Sequence, residues 1–149
     1  HALDVIRQHD VKVVILSARW SSLRSRGLDG LRSTIDALKD MGVKTYVIGQ
    51  SVEFGASVDV LDYRSGNAET ASWSSIVDPG INRELQEIVG NEATFIDPLA
   101  FMCDGQACLF KKGGALRYFD TGHLSAAGAT DAVKLYFPIV GSPRVSELD

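Results

Sequence analysis

An α/β fold with parallel strands is what this sequence predicts, and three observations carry the prediction. Val11 to Leu16 reads Val-Lys-Val-Val-Ile-Leu, a short β-rich run almost continuous in apolar residues, as expected of a strand covered on both faces. Leu28, Leu31, Ile35, Leu38 and Met41 then recur at helical spacing, and Gly42 follows as a stop. A second apolar run, Val43 to Ile48, completes a strand-helix-strand unit, for which a right-handed crossover between parallel strands is the expected connection.

The first run is placed as a central strand of the sheet. The stretch from Gln50 to Asp78 is polar, Ser-rich and weakly periodic, and residues 50–78 read as an insertion loop over the active face. Either Tyr63, Asn67 or Trp73 contacts substrate there or the segment is a mobile surface excursion, and no residue in it is assigned a role. Asp78-Pro79-Gly80 opens a helix carrying Ile81, Leu85, Ile88 and Val89. Ala93 to Ile96 makes a last short core strand, ended by Asp97-Pro98. Residues 101–119 read as a hairpin with Gly113-Gly114 at its turn, which delivers Tyr118 and Phe119 into the segment that follows. Leu124 and Ala129 to Phe137 form the closing helix, with Ser125 as its N-cap.

The 149 residues, 45% hydrophobic and 23% charged, support one globular domain over residues 1–149. A net charge of -4 argues against a dedicated nucleic-acid surface. The basic cluster Arg19, Arg24, Arg26 and Arg32 reads better as a solvated loop and helix face. No run approaches the roughly 18 apolar residues needed to span a bilayer, and the N-terminus lacks the regions of a secretory signal, so the chain reads as soluble. Cys103 and Cys108 are the two cysteines, with Asp104-Gly105 between them supplying turn chemistry. A short-loop disulfide is the favoured reading, and two free thiols in a reducing compartment the alternative. Together with three scattered histidines the pair falls short of a metal ligand set, so neither metal nor cofactor is expected.

The chemistry concentrates in Tyr118-Phe119-Asp120-Thr121-Gly122-His123-Leu124-Ser125, which sets a carboxylate three residues before a histidine at a strand-to-helix junction. In serine hydrolysis and acyl transfer a histidine takes the nucleophile's proton and returns it to the leaving group, and a carboxylate fixes its tautomer. Asp120 and His123 can fill those two roles.

The cysteine hairpin followed by Leu116-x-Tyr118-x-Asp120-x-x-His123-Leu124-Ser125-x-x-Gly128-Ala129 resembles the SGNH-type domain attached to membrane acyltransferases of the acyltransferase-3 class. The resemblance runs from the strand ending in Ala18-Arg19-Trp20 to the last helix, and the stretch from Asp120 to Ala129 is its most specific part. It implies a three-layer α/β/α sheet of flavodoxin-like type in which Asp120 and His123 complete a serine triad. The serine of such domains lies in a G-D-S-type turn after the first strand, and no such turn occurs here. Ten residues precede Val11, and His1 stands where a methionine would open a chain, so the sequence reads as the C-terminal part of the domain, incomplete at its N-terminus. Removing a central upstream strand would leave Val11–Leu16 with an unpaired edge.

Ser17, Ser21, Ser22 and Ser125 lie near the expected active edge, but none sits in G-x-S-x-G or G-D-S, whose glycines expose the hydroxyl and free backbone N–H groups. The nucleophile is therefore expected upstream, leaving this chain inactive alone. Such enzymes carry a Gly-x-Asn-Asp block whose asparagine donates to the oxyanion, and here Arg19-Trp20 stands in that loop instead. Arg19 could stabilise developing negative charge or bind acceptor groups, or serve as a structural ion-pair partner; Trp20 could stack on a sugar ring, or pack at the edge of the core.

By resemblance the expected function is O-acyl transfer, most often of acetyl, to a cell-envelope glycan hydroxyl. The donor group would arrive through an upstream membrane acyltransferase domain, and the domain would stand at the periplasmic face of a bacterial inner membrane. A carbohydrate esterase, and a non-catalytic α/β module that binds a glycan or protein, are the alternatives.

Overall fold

The computed structural model describes residues 2–140, with Ser75 and Phe137 defined by backbone alone. In chain order it comprises α1 (Ala2–Gln8), β1 (Val13–Ser17), α2 (Trp20–Arg24), α3 (Asp29–Asp40), β2 (Lys44–Ile48), α4 (Val58–Ser65), β3 (Thr70–Ser72), a 3-10 turn (Trp73–Ser75), α5 (Ile81–Val89), β4 (Thr94–Ile96), α6 (Leu99–Met102), β5 (Ala107–Leu109), β6 (Lys111–Lys112), β7 (Ala115–Leu116) and α7 (Ala126–Val140). Its contacts gather into two compact units. One is built from the chain up to Glu53 together with Ile76–Met102, the other from Phe54–Ser75 together with the chain from Cys103 onward.

The first unit is the parallel α/β part that the apolar runs predicted. Its three strands pair in parallel in the order β1-β2-β4, with Val14 opposite Thr45 and Val47 opposite Phe95. The helical spacing from Leu28 becomes α3, whose Leu31, Ile35 and Leu38 are buried, and the stop at Gly42 is a Schellman motif. Gly42 has φ +71°, its N–H donates to the Lys39 carbonyl at 2.8 Å, and the Val43 N–H donates to the Leu38 carbonyl at 3.0 Å. Trp20, Leu28, Leu31 and Ile35 meet Val47 of β2 and Ile81, Leu85 and Val89 of α5 in one core cluster, so α3 and α5 share a face of the sheet.

The sequence makes Val11–Leu16 a strand covered on both faces that is left with an unpaired edge when an upstream strand is removed; β1 shows the unpaired edge but is not covered on both faces. Among the described residues β1 pairs only with β2, and Val13 and Ile15 are 44% and 49% exposed while Leu16 packs on the core. Successive side chains of a strand point to opposite faces, so the face carrying Val13 and Ile15 is solvated while Leu16 meets the core. β2 is the covered strand, with Thr45, Tyr46 and Val47 all buried.

The second unit holds much of what the sequence presents as loop. Residues 50–78 are not one irregular insertion, since they contain α4 and β3. Val52, Phe54, Val58 and Ala71 within them are buried. α4 lacks a strong apolar stripe and β3 spans three residues, too short for alternation to register in the sequence. Residues 101–119 are likewise more than a hairpin. β5 pairs antiparallel with β3, Thr70 opposite Leu109, and only β6 and β7 form the hairpin turned by Gly113-Gly114. Cys103 and Cys108 are joined in a disulfide. The Asp104 carboxylate closes their loop by accepting the N–H groups of Gln106 and Ala107 at 2.9 and 2.8 Å, and Gly105 takes φ +85°. Phe54, Phe110 and Tyr118 pack edge to face at its centre, with ring centroids 6.4 and 5.2 Å apart. No helix among the described residues is long and apolar enough to cross a membrane.

Candidate functional site

Tyr118 and Leu124 form an isolated antiparallel bridge, and the Phe119 N–H donates to the His123 carbonyl at 3.0 Å, so residues 118–124 close into a tight loop. Tyr118 points inward and is 1% exposed, and burial raises its phenol pKa well above the usual range. The next position in an extended chain faces the other way, which brings Phe119 and the Asp120 loop to the surface.

Within the loop one carboxylate does three things. Asp120 Oδ1 accepts the backbone N–H groups of Gly122 and His123, both at 2.8 Å, and Oδ2 lies 2.7 Å from His123 Nδ1. The backbone N–H of Gly122, the N–H of His123 and the imidazole bond together lower the Asp120 pKa from 3.8 to about 2. An ionised carboxylate can only accept, so Nδ1 must carry the proton and Nε2 is left with its lone pair. The His123 side chain is 71% exposed, and Nε2 is the atom available to take a proton from a hydroxyl.

The depressed pKa carries a sign. Below its ordinary value a carboxyl whose folded pKa is lowered loses its stabilising contribution, so the contribution of Asp120 is present above about pH 4 and lost as pH falls towards about 2. The difference in urea midpoint between the wild type and Asp120→Asn, measured at pH 6, should therefore shrink below about pH 4 and close near pH 2. A difference that stays constant across that range would contradict the bonding at Oδ1 and Oδ2.

The motif residues after His123 have structural work. Ser125 Oγ accepts the Gly128 N–H at 3.1 Å as the N-cap of α7, and donates to the Leu116 carbonyl at 2.7 Å. Its own N–H donates to the Arg117 carbonyl at 2.9 Å. A Cβ built on Gly128 would stand 1.9 Å from that same Arg117 carbonyl oxygen, so only glycine lets α7 sit this close to the chain leading into the loop. Arg117 Nε lies 2.9 Å from an Asp131 carboxylate oxygen of α7 without hydrogen-bond geometry, a further ion-pair tie to the helix.

In the parallel unit, Arg19 and Trp20 follow β1 at the carboxyl end of the sheet, where ligands of open α/β folds bind. Trp20 is 6% exposed and its Nε1–H donates to the Ile48 carbonyl at 2.8 Å. Its ring belongs to the core cluster and its indole N–H is spent on a strand end, so of the two readings the sequence left open the structure favours packing at the core over a face offered to a sugar. Arg19 keeps 63% of its side chain exposed and is ion-paired with Glu53, whose side chain is only 7% exposed. Glu53 Oε2 also accepts from Ser21 Oγ at 2.7 Å, which engages that hydroxyl.

Behind Glu53 runs a buried polar chain that the sequence did not reveal. Gln50 Oε1 accepts the Ser21 N–H at 3.0 Å, Asn82 Oδ1 accepts the Gln50 N–H at 2.7 Å, and Asn82 Nδ2 donates to the Gln50 carbonyl at 2.9 Å and to Asp97 Oδ1 at 2.6 Å. It ties together the segments that follow β1, β2 and β4, at the carboxyl ends of all three strands. Leaving one such buried partner unsatisfied costs about 1–3 kcal/mol, so the chain fixes this edge of the sheet. Its directly bonded partners lie up to 32 positions apart, and no spacing in the sequence marks them. Two more members of the basic cluster are ion-paired: Arg24 with Asp78 and Glu84, and Arg32 with Asp36, at 2.6 to 3.2 Å.

Comparison with known proteins fits this geometry. No curated protein matches the chain. A solved structure described as a Salmonella ser. Paratyphi A lipopolysaccharide acetyltransferase periplasmic domain has a similar fold, with a TM-score of 0.68 at 18% identity. The match covers 90% of this chain and 58% of that one, so the chain spans little more than half of its neighbour's length. The family model described as the SGNH domain fused to AT3 domains matches residues 1–136. With a parallel α/β sheet and an aspartate-held histidine before its last helix, the chain belongs to that family of SGNH domains.

Proposed function

We propose that these residues supply the acid-base half of a Ser-His-Asp acyl transfer, in an O-acetyltransferase whose nucleophilic serine lies upstream and whose acceptor is a hydroxyl of a cell-envelope glycan. The observation that carries the reading is the Asp120 clamp on His123 Nδ1, which leaves Nε2 free and fixes the imidazole in the tautomer a base requires. Membership of a family fused to AT3 domains supports a membrane-embedded partner that delivers the acyl donor. The similar periplasmic structure and the Cys103–Cys108 disulfide support an oxidising compartment outside the cytoplasm.

In this reading the serine hydroxyl attacks the donor's acyl carbonyl while its proton passes to His123 Nε2. The tetrahedral intermediate collapses, the leaving group takes that proton, and the acyl-serine ester remains. The acceptor hydroxyl then gives its proton to Nε2 and attacks the ester. The acyl group moves to the sugar oxygen, and the serine oxygen leaves with the proton from His123. Asp120 stays ionised throughout and stabilises the imidazolium that forms twice per cycle. Arg19, paired with Glu53 at the carboxyl end of the sheet, is the cation proposed to bind polar groups of the acceptor.

The test is intact mass after treatment with a fluorophosphonate, on residues 1–149 and on a protein extended upstream, each with a His123→Ala control. Labelling confined to the extended form with His123 intact is the expected result. Labelling of residues 1–149 themselves would place the nucleophile within this chain, and no labelling of either would favour a binding module over an enzyme.

A further inference from the structure

Phe119 is an aromatic ring that neither the core nor the Asp120–His123 pair uses. It is 67% exposed, whereas Tyr118 beside it is 1% exposed. Its ring stacks on the His123 imidazole, with centroids 5.6 Å apart and planes inclined by 27°. The backbone holds it in place through the bridge between Tyr118 and Leu124, made by the Phe119 N–H bond to the His123 carbonyl and the Ser125 N–H bond to the Arg117 carbonyl.

We propose that Phe119 is the platform on which the acceptor's sugar ring lies, and so determines whether the acyl group goes to a glycan or to water. The inference rests on the acyl-transfer reading above and deepens it. One part of the ring lies against the imidazole and the rest faces solvent, so a flat apolar body adjoins the base that must receive the acceptor's proton. A pyranose has a face of C–H groups that suits an aromatic ring, with its hydroxyls projecting at the edges, and a hydroxyl at the edge nearest His123 can reach Nε2. Phenylalanine offers no hydrogen-bonding group, so it selects a ring with a continuous C–H face and leaves the choice of hydroxyl to the distance from Nε2. The pinned backbone makes the platform preorganised, so little ordering cost falls on binding. Water gains nothing from such a surface, and transfer and hydrolysis are thereby separated.

The experiment uses the full-length protein in membrane vesicles, with p-nitrophenyl acetate as acyl donor and alkali-deacetylated O-polysaccharide as acceptor, and compares the wild type with Phe119→Ala, Phe119→Leu and Phe119→Tyr. In Phe119→Ala the acceptor KM should rise about five- to tenfold and the ratio of transfer to hydrolysis fall by a similar factor. Phe119→Leu, which keeps apolar bulk without a flat ring, should resemble Phe119→Ala, and Phe119→Tyr should resemble the wild type. Transfer and hydrolysis falling together would mean that Phe119 acts only by orienting His123, and would overturn the platform, as would an unchanged ratio. A wild type with neither activity would refute the acyl-transfer reading itself. The platform is then judged by polysaccharide-induced NMR shifts of labelled phenylalanine: shifts abolished in Phe119→Ala uphold it, and no shifts in the wild type reject it.

Discussion

If the protein transfers acyl groups as proposed, Asp120→Asn in the intact protein is expected to lower that activity by about 10⁴-fold while the protein stays folded, and His123→Ala to lower it at least as far. The reasoning is specific to this loop. Oδ1 of Asp120 accepts two backbone N–H groups, so the carbonyl oxygen of an asparagine must occupy that position and its amide nitrogen must face His123 Nδ1. The amide donates where the carboxylate accepts, which drives the imidazole proton to Nε2 and removes the base. The loop bonds survive, so the loss should appear in kcat with the circular dichroism spectrum unchanged. Asp120→Ala, by contrast, should lose the loop bonds as well. An Asp120→Asn protein retaining more than about a tenth of the activity would refute the tautomer argument.

Gly128→Ala is expected to cost about 3 kcal/mol or more of stability, a drop in melting temperature on the order of 10 °C. A methyl group there would meet the Arg117 carbonyl oxygen at 1.9 Å, and the obstacle is backbone on both sides rather than a side chain that can turn away. Helix α7 would have to retreat, drawing Ser125 from the Leu116 and Arg117 carbonyls and Asp131 from Arg117. Those contacts anchor the two ends of the loop that carries His123, so activity should fall along with stability. A neighbouring change at an open position, Gly113→Asn in the β6–β7 turn, serves as the control: nothing lies within 4 Å of its Cβ, and asparagine tolerates the positive φ of 58°. Equal melting temperatures for Gly128→Ala and the wild type would show that α7 does not approach Arg117 this closely.

The helix from Leu28 and its glycine stop were legible because their signal is local: helical spacing and a left-handed glycine are written in consecutive residues. The Asp120–His123 pair was legible for the same reason, since a contact across three positions is a property of one loop. The closing helix capped by Ser125 and the turn between the cysteines belong to the same class. β1 shows where local reading stops. Its apolar run marks a strand, but whether that strand has one neighbour or two is decided by what lies beside it. α4 and β3 were missed because a short helix with little apolar face and a three-residue strand are held by partners elsewhere in the chain.

Residue chemistry followed the same division. The sequence determined that this chain carries an aspartate-held histidine in a parallel α/β fold, and the glycine at position 128 was visible as part of a motif. Only the tertiary structure decided that Trp20 is core, that Arg19 is tethered to a buried Glu53, and that Asn82 links Gln50 to Asp97. It also decided why position 128 must be glycine and that Phe119 lies on the imidazole. The physical reason is that burial, ion pairing and close backbone approach depend on which distant segments share a volume, and no spacing along the chain encodes that.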